Sequence, residues 1–355
     1  MSAGEPAGHN SGPAIALPEI TPPAELKAML QRGLVREFAV PVLVESFERL
    51  SGGASRETWS FDALPEAAAR LPLIWRRDPG SQPKQSLFAG VETIGVSREA
   101  EFDLLSAAGA GGVPVPRVRF RLPMAEGGGF VMDRVAGETN PRRILREPAY
   151  AAARARLAAD CGRAAARIHR IGRERLPSLQ YFGPLEQMRL YRNLLDQFGE
   201  SLPTFELALR WLERRLPEPV SPTLVHGDFR HGNIIVDERG LAAVLDWELA
   251  HLGDPMEDLG WLCVKSWRFG GRPPVGGFGT REELFAAYEA ASGIRVDPAR
   301  VHFWEVFGSL KWGEICLMQA FTHLLGRNRS VELAAIGRRV SETEFDLLNL
   351  LAEEA

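Results

Sequence analysis

The chain has 355 residues, 45% of them hydrophobic and 25% charged, with a formal net charge of −4. That length exceeds one typical domain and implies two lobes, while the composition is that of an ordinary globular protein with a sizeable core. The mildly acidic balance offers no electrostatic footprint for nucleic acid, so no nucleic-acid partner is expected.

Residues 1–23, rich in Gly, Pro, Ala and Ser, cannot bury a core and read as a mobile arm. A helix follows over about residues 23–33, with Leu26, Met29 and Leu30 on one face. Residues 47–50 and 58–61 read as strands joined by Ser51-Gly52-Gly53-Ala54-Ser55-Arg56, a turn whose N–H groups can cradle an anion. Residues 73–77 form the next strand, where alternation puts Arg76 and Arg77 on opposite faces. Ser97 caps a helix running to Ala108, and within it Glu99 lies beside the face of Phe102 and Leu105, with Glu101 as the alternative acidic position. The stiff connector Val113-Pro114-Val115-Pro116 leads into strands over residues 117–122 and 130–135, and residues 132–137 cross between lobes.

Residues 149–171 form a long helix with Leu157, Cys161, Ala164 and Ile168 at helical spacing; its arginines read as a solvated face and His169 as a packing or capping residue. Helical periodicity continues through residues 180–213. The stretch 223–248 then changes character. Leu224-Val225 enter as a strand, His226-Gly227-Asp228 open a polar turn that Asn233 closes, and Ile234-Ile235-Val236 and residues 241–245 form a hairpin around Asp237-Glu238-Arg239-Gly240. The hairpin ends on Asp246-Trp247.

Asp228 and Asn233 are five positions apart, and Asn233 and Asp246 thirteen apart. A loop carboxylate, a loop amide and a strand-end carboxylate are the set that phosphoryl transfer needs: a base for the alcohol proton and oxygen ligands for Mg²⁺ on the phosphates. The spacing is that of the protein-kinase catalytic loop, but the wording is His-Gly-Asp and Asp-Trp-Glu rather than His-Arg-Asp and Asp-Phe-Gly. Downstream, Gly253-Asp254-Pro255 opens a helix burying Leu259 and Leu262, with Asp254 placed to brace the catalytic loop. Residues 303–325, the most apolar late segment, are broken by Glu305, Lys311 and Glu314, so they read as a buried helix with a polar stripe and not as a membrane span. No basic segment followed by an apolar core opens the chain, and Cys161, Cys263 and Cys316 form neither a disulfide framework nor a metal spacing; a reducing, cytoplasmic setting is expected.

The motif H-G-D-x-x-x-x-N followed by D-W-E resembles the aminoglycoside phosphotransferase family, the kinase-like group that includes choline kinases. The resemblance implies an α+β, two-lobed protein-kinase-like fold, with a small sheet-plus-helix lobe over residues 24–135, a larger mostly helical lobe over residues 136–355, and ATP with Mg²⁺ between them. It implies Asp228 as catalytic base, His226 as support for the loop, and Asn233 and Asp246 as metal ligands. Ser55 and Arg56 fall where the family covers the phosphates. Arg76, with Arg77 competing, stands where related kinases carry a nucleotide lysine, and Glu99, with Glu101 as the alternative, stands where they carry its glutamate partner. Backbone groups of Asp133 and Val135 fall at the adenine-binding crossing.

From residue 256 onward 14 acidic residues face 11 basic ones, which gives no reason to expect a polycationic antibiotic as substrate. Residues 279–284, Tyr288, Ser292-Gly293 and residues 303–325 are similar to the branch of kinase-like domains fused to or encoded alongside acyl-CoA dehydrogenases. That resemblance implies a small-molecule alcohol acceptor, such as a hydroxylated acyl compound. A catalytically silent nucleotide-binding module is the second reading, motivated by the missing lysine, and an antibiotic (aminoglycoside) kinase is a third.

Overall fold

The computed structural model describes residues 21–50, 57–78 and 95–352. Helix α1 (Pro23–Phe38) starts on a proline; residues 1–20 of the arm expected over residues 1–23 lie outside the described residues. Strands β1 (Val42–Arg49), β2 (Glu57–Pro65) and β3 (Leu71–Arg77) follow, then α2 (Arg98–Ala110), β4 (Val118–Arg121) and β5 (Phe130–Asp133). The five strands make one sheet in the order β1-β2-β3-β5-β4, with antiparallel neighbours throughout.

Alternation along β3 decides what each face does. Leu73 and Trp75 join Leu30, Leu34, Phe61 and Val131 in a core beneath α1. Ile74 points the other way and joins Leu104, Leu105, Phe130 and Met132 in the main core. Arg76 follows Ile74, so it faces α2; Arg77 follows Trp75 and pairs instead with Glu57 at 3.5 Å. Parity thus sends the two arginines to opposite faces of the sheet.

The C-terminal part is mostly helical. It contains α3 (Pro141–Arg146), α4 (Ala151–His169), α5 (Pro184–Phe198) and α6 (Pro203–Arg214), then the small strands β6 (Thr223–Val225), β7 (Ile234–Asp237), β8 (Gly240–Val244) and β9 (His251–Gly253). Helices α7 (Met256–Cys263), α8 (Arg281–Ser292), α9 (Pro298–Leu324), α10 (Val331–Gly337) and α11 (Val340–Ala352) complete it. Strand β6 pairs with β9, and β7 with β8. Helix α9 is the spine of this part: Trp304, Phe307 and Leu310 are buried, and α7 lies close enough that a Cβ on Gly260 would sit 2.5 Å from Trp304. The three cysteines are free and buried, and among the described residues no helix is long and apolar enough to cross a membrane.

Candidate active site

The chain leaves β6 at His226 and turns sharply. Gly227 has φ +79°, and a Cβ there would meet the Leu249 carbonyl oxygen at 2.4 Å, so only glycine fits. Asp258, buried in α7, holds this turn from below. It accepts the backbone N–H of His226 at 2.9 Å and of Gly227 at 3.0 Å, and His169 Nε2 at 3.0 Å. Burial disfavours its charge, but the His169 hydrogen bond and charge, with His226, outweigh that and hold the carboxyl below its usual range. His169 in turn reaches the Tyr288 hydroxyl at 3.0 Å, so it belongs to the packing beneath the loop.

Asp254, expected to brace the loop, does something else. It accepts Arg300 Nε at 2.5 Å and Trp304 Nε1 at 2.8 Å, tying the start of α7 to α9. Asp254 lies in the link between β9 and α7, while Asp258 lies within α7, and only Asp258 reaches the His226-Gly227 turn.

His226 is fully buried. Its Nδ1 accepts the Asp228 N–H at 3.2 Å and its Nε2 lies 3.0 Å from the Leu245 carbonyl, a pairing that assigns the proton to Nε2. Burial lowers its pKa and keeps it neutral. His226 therefore fastens the turn to the end of β8 from within the loop.

Asp228 carries the only loop carboxylate. Its Oδ1 accepts Trp261 Nε1 at 2.8 Å and Arg230 Nε at 2.9 Å, and its Oδ2 accepts Asn233 Nδ2 at 2.5 Å. Both donated Asn233 bonds go to Asp228, one to the carboxylate and one to the backbone oxygen at 3.0 Å. The Asn233 Oδ1 is left without a hydrogen bond among the described residues. Strand pairing sets Ile234 against Val244, and the Leu245 N–H donates to the Asn233 carbonyl at 2.8 Å. Asn233 and Asp246 therefore flank the same open end of the hairpin. Asp246 takes a left-handed conformation, φ +67°, that swings it out of the strand direction.

Arg76 closes the site from the sheet. Its Nη2 lies 2.9 Å from Asp246 Oδ1, and its Nη1 lies 3.0 Å from Glu101 Oε1. Glu101 is fully buried and also pairs with Arg98. Burial works against the charge of Asp246, but Arg76 outweighs it and holds the carboxyl below its usual range. The expected Arg76 partner, Glu99, is exposed on the far side of α2 and offers only its backbone oxygen, to Arg121 at 3.3 Å. The correction has a simple cause. Helix α2 buries Leu104, Leu105 and Ala108, and Glu101 shares that face at three- and four-residue spacing. Phe102, used to orient the helix, lies only half-buried beneath Arg121.

Ser55 and Arg56 lie outside the described residues. Asp133 ends β5, with its side chain on Arg119 at 2.5 Å and its N–H on the Arg117 carbonyl at 2.9 Å. Val135 is half-buried in the crossing that follows. Two backbone hydrogen bonds, of 2.8 and 3.0 Å, join Glu138 to Val236 and pin this crossing to the catalytic hairpin.

Sequence reasoning missed the groups around Asp228 that arrive from elsewhere. Trp261 lies on α7, and its ring packs tilted against Trp267 at 5.1 Å, which reaches Trp312 edge-on at 4.7 Å. The Arg230 guanidinium covers Trp267 at 4.6 Å. Lys311 lies 4.8 Å from the Trp261 ring and donates to the Gly227 carbonyl at 3.3 Å. A Trp-rich region around residues 261–267 was the available signal.

Residues 46–304 match the family model described as phosphotransferase enzyme family. Mouse (Mus musculus) acyl-CoA dehydrogenase family member 10 is 30% identical over 219 residues, covering 55% of this chain and 20% of that protein. The chain thus spans about a fifth of the length of that curated relative. A putative aminoglycoside phosphotransferase from Ralstonia eutropha JMP134 is similar in fold, with a TM-score of 0.69, 21% identity, and coverage of 93% of this chain and 98% of that one. Spectinomycin phosphotransferase, solved with ADP and spectinomycin, gives a TM-score of 0.61 at 13% identity, covering 91% and 98%. With the sheet-rich N-terminal part, the helical C-terminal part and the motif-bearing hairpin in place, the chain belongs to the phosphotransferase enzyme family.

Proposed function

We propose that this protein transfers the γ-phosphate of ATP to a hydroxyl of a small molecule, a hydroxyacyl compound being the acceptor that the acyl-CoA dehydrogenase relative favours. The observation that carries this reading is the convergence of Asp228, Asn233 and Asp246 at one hairpin mouth, with Arg76 reaching into it from the sheet. In the proposed division, residues 24–135 cover the nucleotide and residues 136–355 carry the catalytic loop, the metal ligands and the acceptor pocket. Backbone groups of Asp133 and Val135 read the adenine, and Ser55 and Arg56 cover the phosphates.

Asp228 accepts the proton of the acceptor hydroxyl as its oxygen attacks the γ-phosphorus, while the bond to the β,γ-bridging oxygen breaks and ADP leaves. Trp261, Arg230 and Asn233 fix the orientation of that carboxylate, which is most of what a base in this chemistry requires. Asn233 Oδ1 and Asp246 Oδ2 are hard oxygen donors with no hydrogen bond among the described residues, and they fit Mg²⁺, which combines few protein oxygens with phosphate oxygens and water. When bound, magnesium would neutralise charge on the triphosphate. Arg76 holds Asp246 in place and carries positive charge towards the phosphates.

Replacing Asp228 by Asn should lower turnover by about 10²–10⁴ while Mg-ATP binding persists. Turnover at the wild-type rate in that variant, with a working acceptor, would falsify the assignment of the base. A silent nucleotide-binding module draws support from the Arg76–Asp246 pair, which occupies one oxygen of a proposed metal ligand. Nucleotide binding without loss of γ-phosphate across a broad alcohol panel would favour that module.

A further inference from the structure

Beside the catalytic loop, between α3, the segment 265–271 and the segment 339–346, lies an open cleft of about 1130 Å³. Its cations are Arg142, Arg146, Lys265, Arg268 and Arg339; its only acids are Glu342 and Asp346. Both acids are occupied: Asp346 accepts Lys265 at 2.6 Å and Glu342 accepts Arg339 at 3.0 Å. Arg268 is held by Glu305 at 3.1 Å. Arg142 and Arg146, one turn apart on α3, are exposed and have no ionic partner among the described residues. The flanking acids Glu138 and Glu147 are taken by Arg143, and two like charges at four-residue spacing repel.

The cleft is connected to the chemistry. Phe269, on its wall, packs edge-on against His231 of the catalytic loop at 5.7 Å. Arg339 lies 5.5 Å from the ring of Trp312, the far end of the indole series that begins at the Asp228 hydrogen bond of Trp261. In a chain of net charge −4, such a local cationic concavity focuses anions and repels polycations.

We infer that this cleft is a phosphate-binding subsite, and that the acceptor is an alcohol carrying a phosphate group at a distance from the hydroxyl that reacts. The guanidinium planes of Arg142 and Arg146 suit phosphate oxygens bidentately, with the paired Lys265 and Arg339 adding positive charge from the other walls. The word acceptor rests on the phosphotransferase reading; the affinity for phosphate does not.

The full chain, without magnesium, is titrated calorimetrically with inorganic pyrophosphate, alone and after saturation with ADP. Binding should survive ADP and weaken at least about tenfold in the double variant Arg142→Gln/Arg146→Gln, more in Arg142→Glu/Arg146→Glu, and not in Arg189→Glu, an exposed charge reversal on α5. Displacement of pyrophosphate by ADP would assign the anion to the nucleotide site and overturn the inference. So would equal binding by the double variants, no binding by the wild type, or tighter binding of spermine. In turnover, the Gln pair should raise KM for hydroxyalkyl phosphates about tenfold and leave simple alcohols unchanged. Loss of all turnover with pyrophosphate binding intact would sink the phosphotransferase reading alone.

Discussion

Arg76 Nη2 lies 2.9 Å from Asp246 Oδ1, joining the third strand of the N-terminal sheet to the end of the catalytic hairpin. The same guanidinium reaches Glu101 at 3.0 Å through its other terminal nitrogen. A lysine offers one nitrogen on a flexible stem; a guanidinium offers several in a fixed plane and can hold two carboxylates apart at set positions. The bridge therefore links α2, the sheet and Asp246 into one unit. The Val96 N–H bond to the Glu248 carbonyl, 3.0 Å, adds a second tie between the same segments.

That bridge separates two acids two residues apart. Glu101→Ala takes from the buried Arg76 and Arg98 their shared buried carboxylate, although Asp246 and Asp78 still pair with them, and should destabilise the chain by about 3 kcal/mol. Glu99→Ala, on the exposed side, should stay within about 0.5 kcal/mol of wild type. Urea unfolding of the two variants in parallel decides the matter; a larger loss in Glu99→Ala would reverse the assignment.

Locality marks what could be read from the residues alone. Asp228, Asn233 and Asp246 sit within one turn and one hairpin, so their spacing nearly dictates their meeting. The face of Arg76 was open in the sequence and needed only the parity of Leu73 and Trp75 against Ile74. Glu101 was harder: two steps along a helix rotate a side chain about 200°, and a short helix with a half-exposed Phe102 gives a weak bearing. Trp261 and Lys311 were out of reach, because their partners lie 33 and 84 positions away and no periodicity encodes such a contact. That Asp258 and not Asp254 meets the turn was equally out of reach, because it depends on how α7 packs against residues about 30 positions earlier.

Trp261→Phe keeps the aromatic wall and deletes one donor to Asp228 Oδ1. A lost hydrogen bond to a charged group should lower kcat by about 10–100-fold, with the Kd for Mg-ATP unchanged because the indole touches Asp228, the proposed base, and not Arg76, the proposed phosphate contact. Single-turnover kinetics beside equilibrium nucleotide binding tests this. A matching loss in both would mean that Trp261 merely supports the fold.

Asp258→Ala strands the N–H groups of His226 and Gly227 and leaves His169 without its acceptor. The expected loss is about 3–5 kcal/mol of stability, together with turnover, since the turn carrying Asp228 has no other support from α7's first turn. The sign with pH follows from the depressed carboxyl. Its contribution is complete above the unfolded value of 3.8 and is lost only as the pH falls through the lower folded value. Wild type should therefore hold this contribution at pH 5, and the gap between wild type and Asp258→Ala in urea midpoint should narrow below pH 4. A gap that closes already between pH 7 and pH 5 would contradict it.

His231 predicts a pH dependence of a different shape. Its Nδ1 donates to the Gly276 carbonyl at 2.6 Å, while its Nε2 is buried between the rings of Phe269 and Phe278 with no hydrogen bond among the described residues. Burial pushes the imidazole from its ordinary 6.5 down to about 4. The folded chain therefore refuses a proton that the unfolded chain accepts. Stability should be full above about pH 6.5, fall as the pH drops towards about 4, and level off below that, a change of about 3 kcal/mol from this residue. His231→Asn offers an amide N–H in place of the Nδ1 donor and nothing that titrates. Urea midpoints at pH 7 and pH 4.5 should then differ less in the variant than in the wild type, and identical slopes in the two proteins would show that the buried ring does not set this dependence.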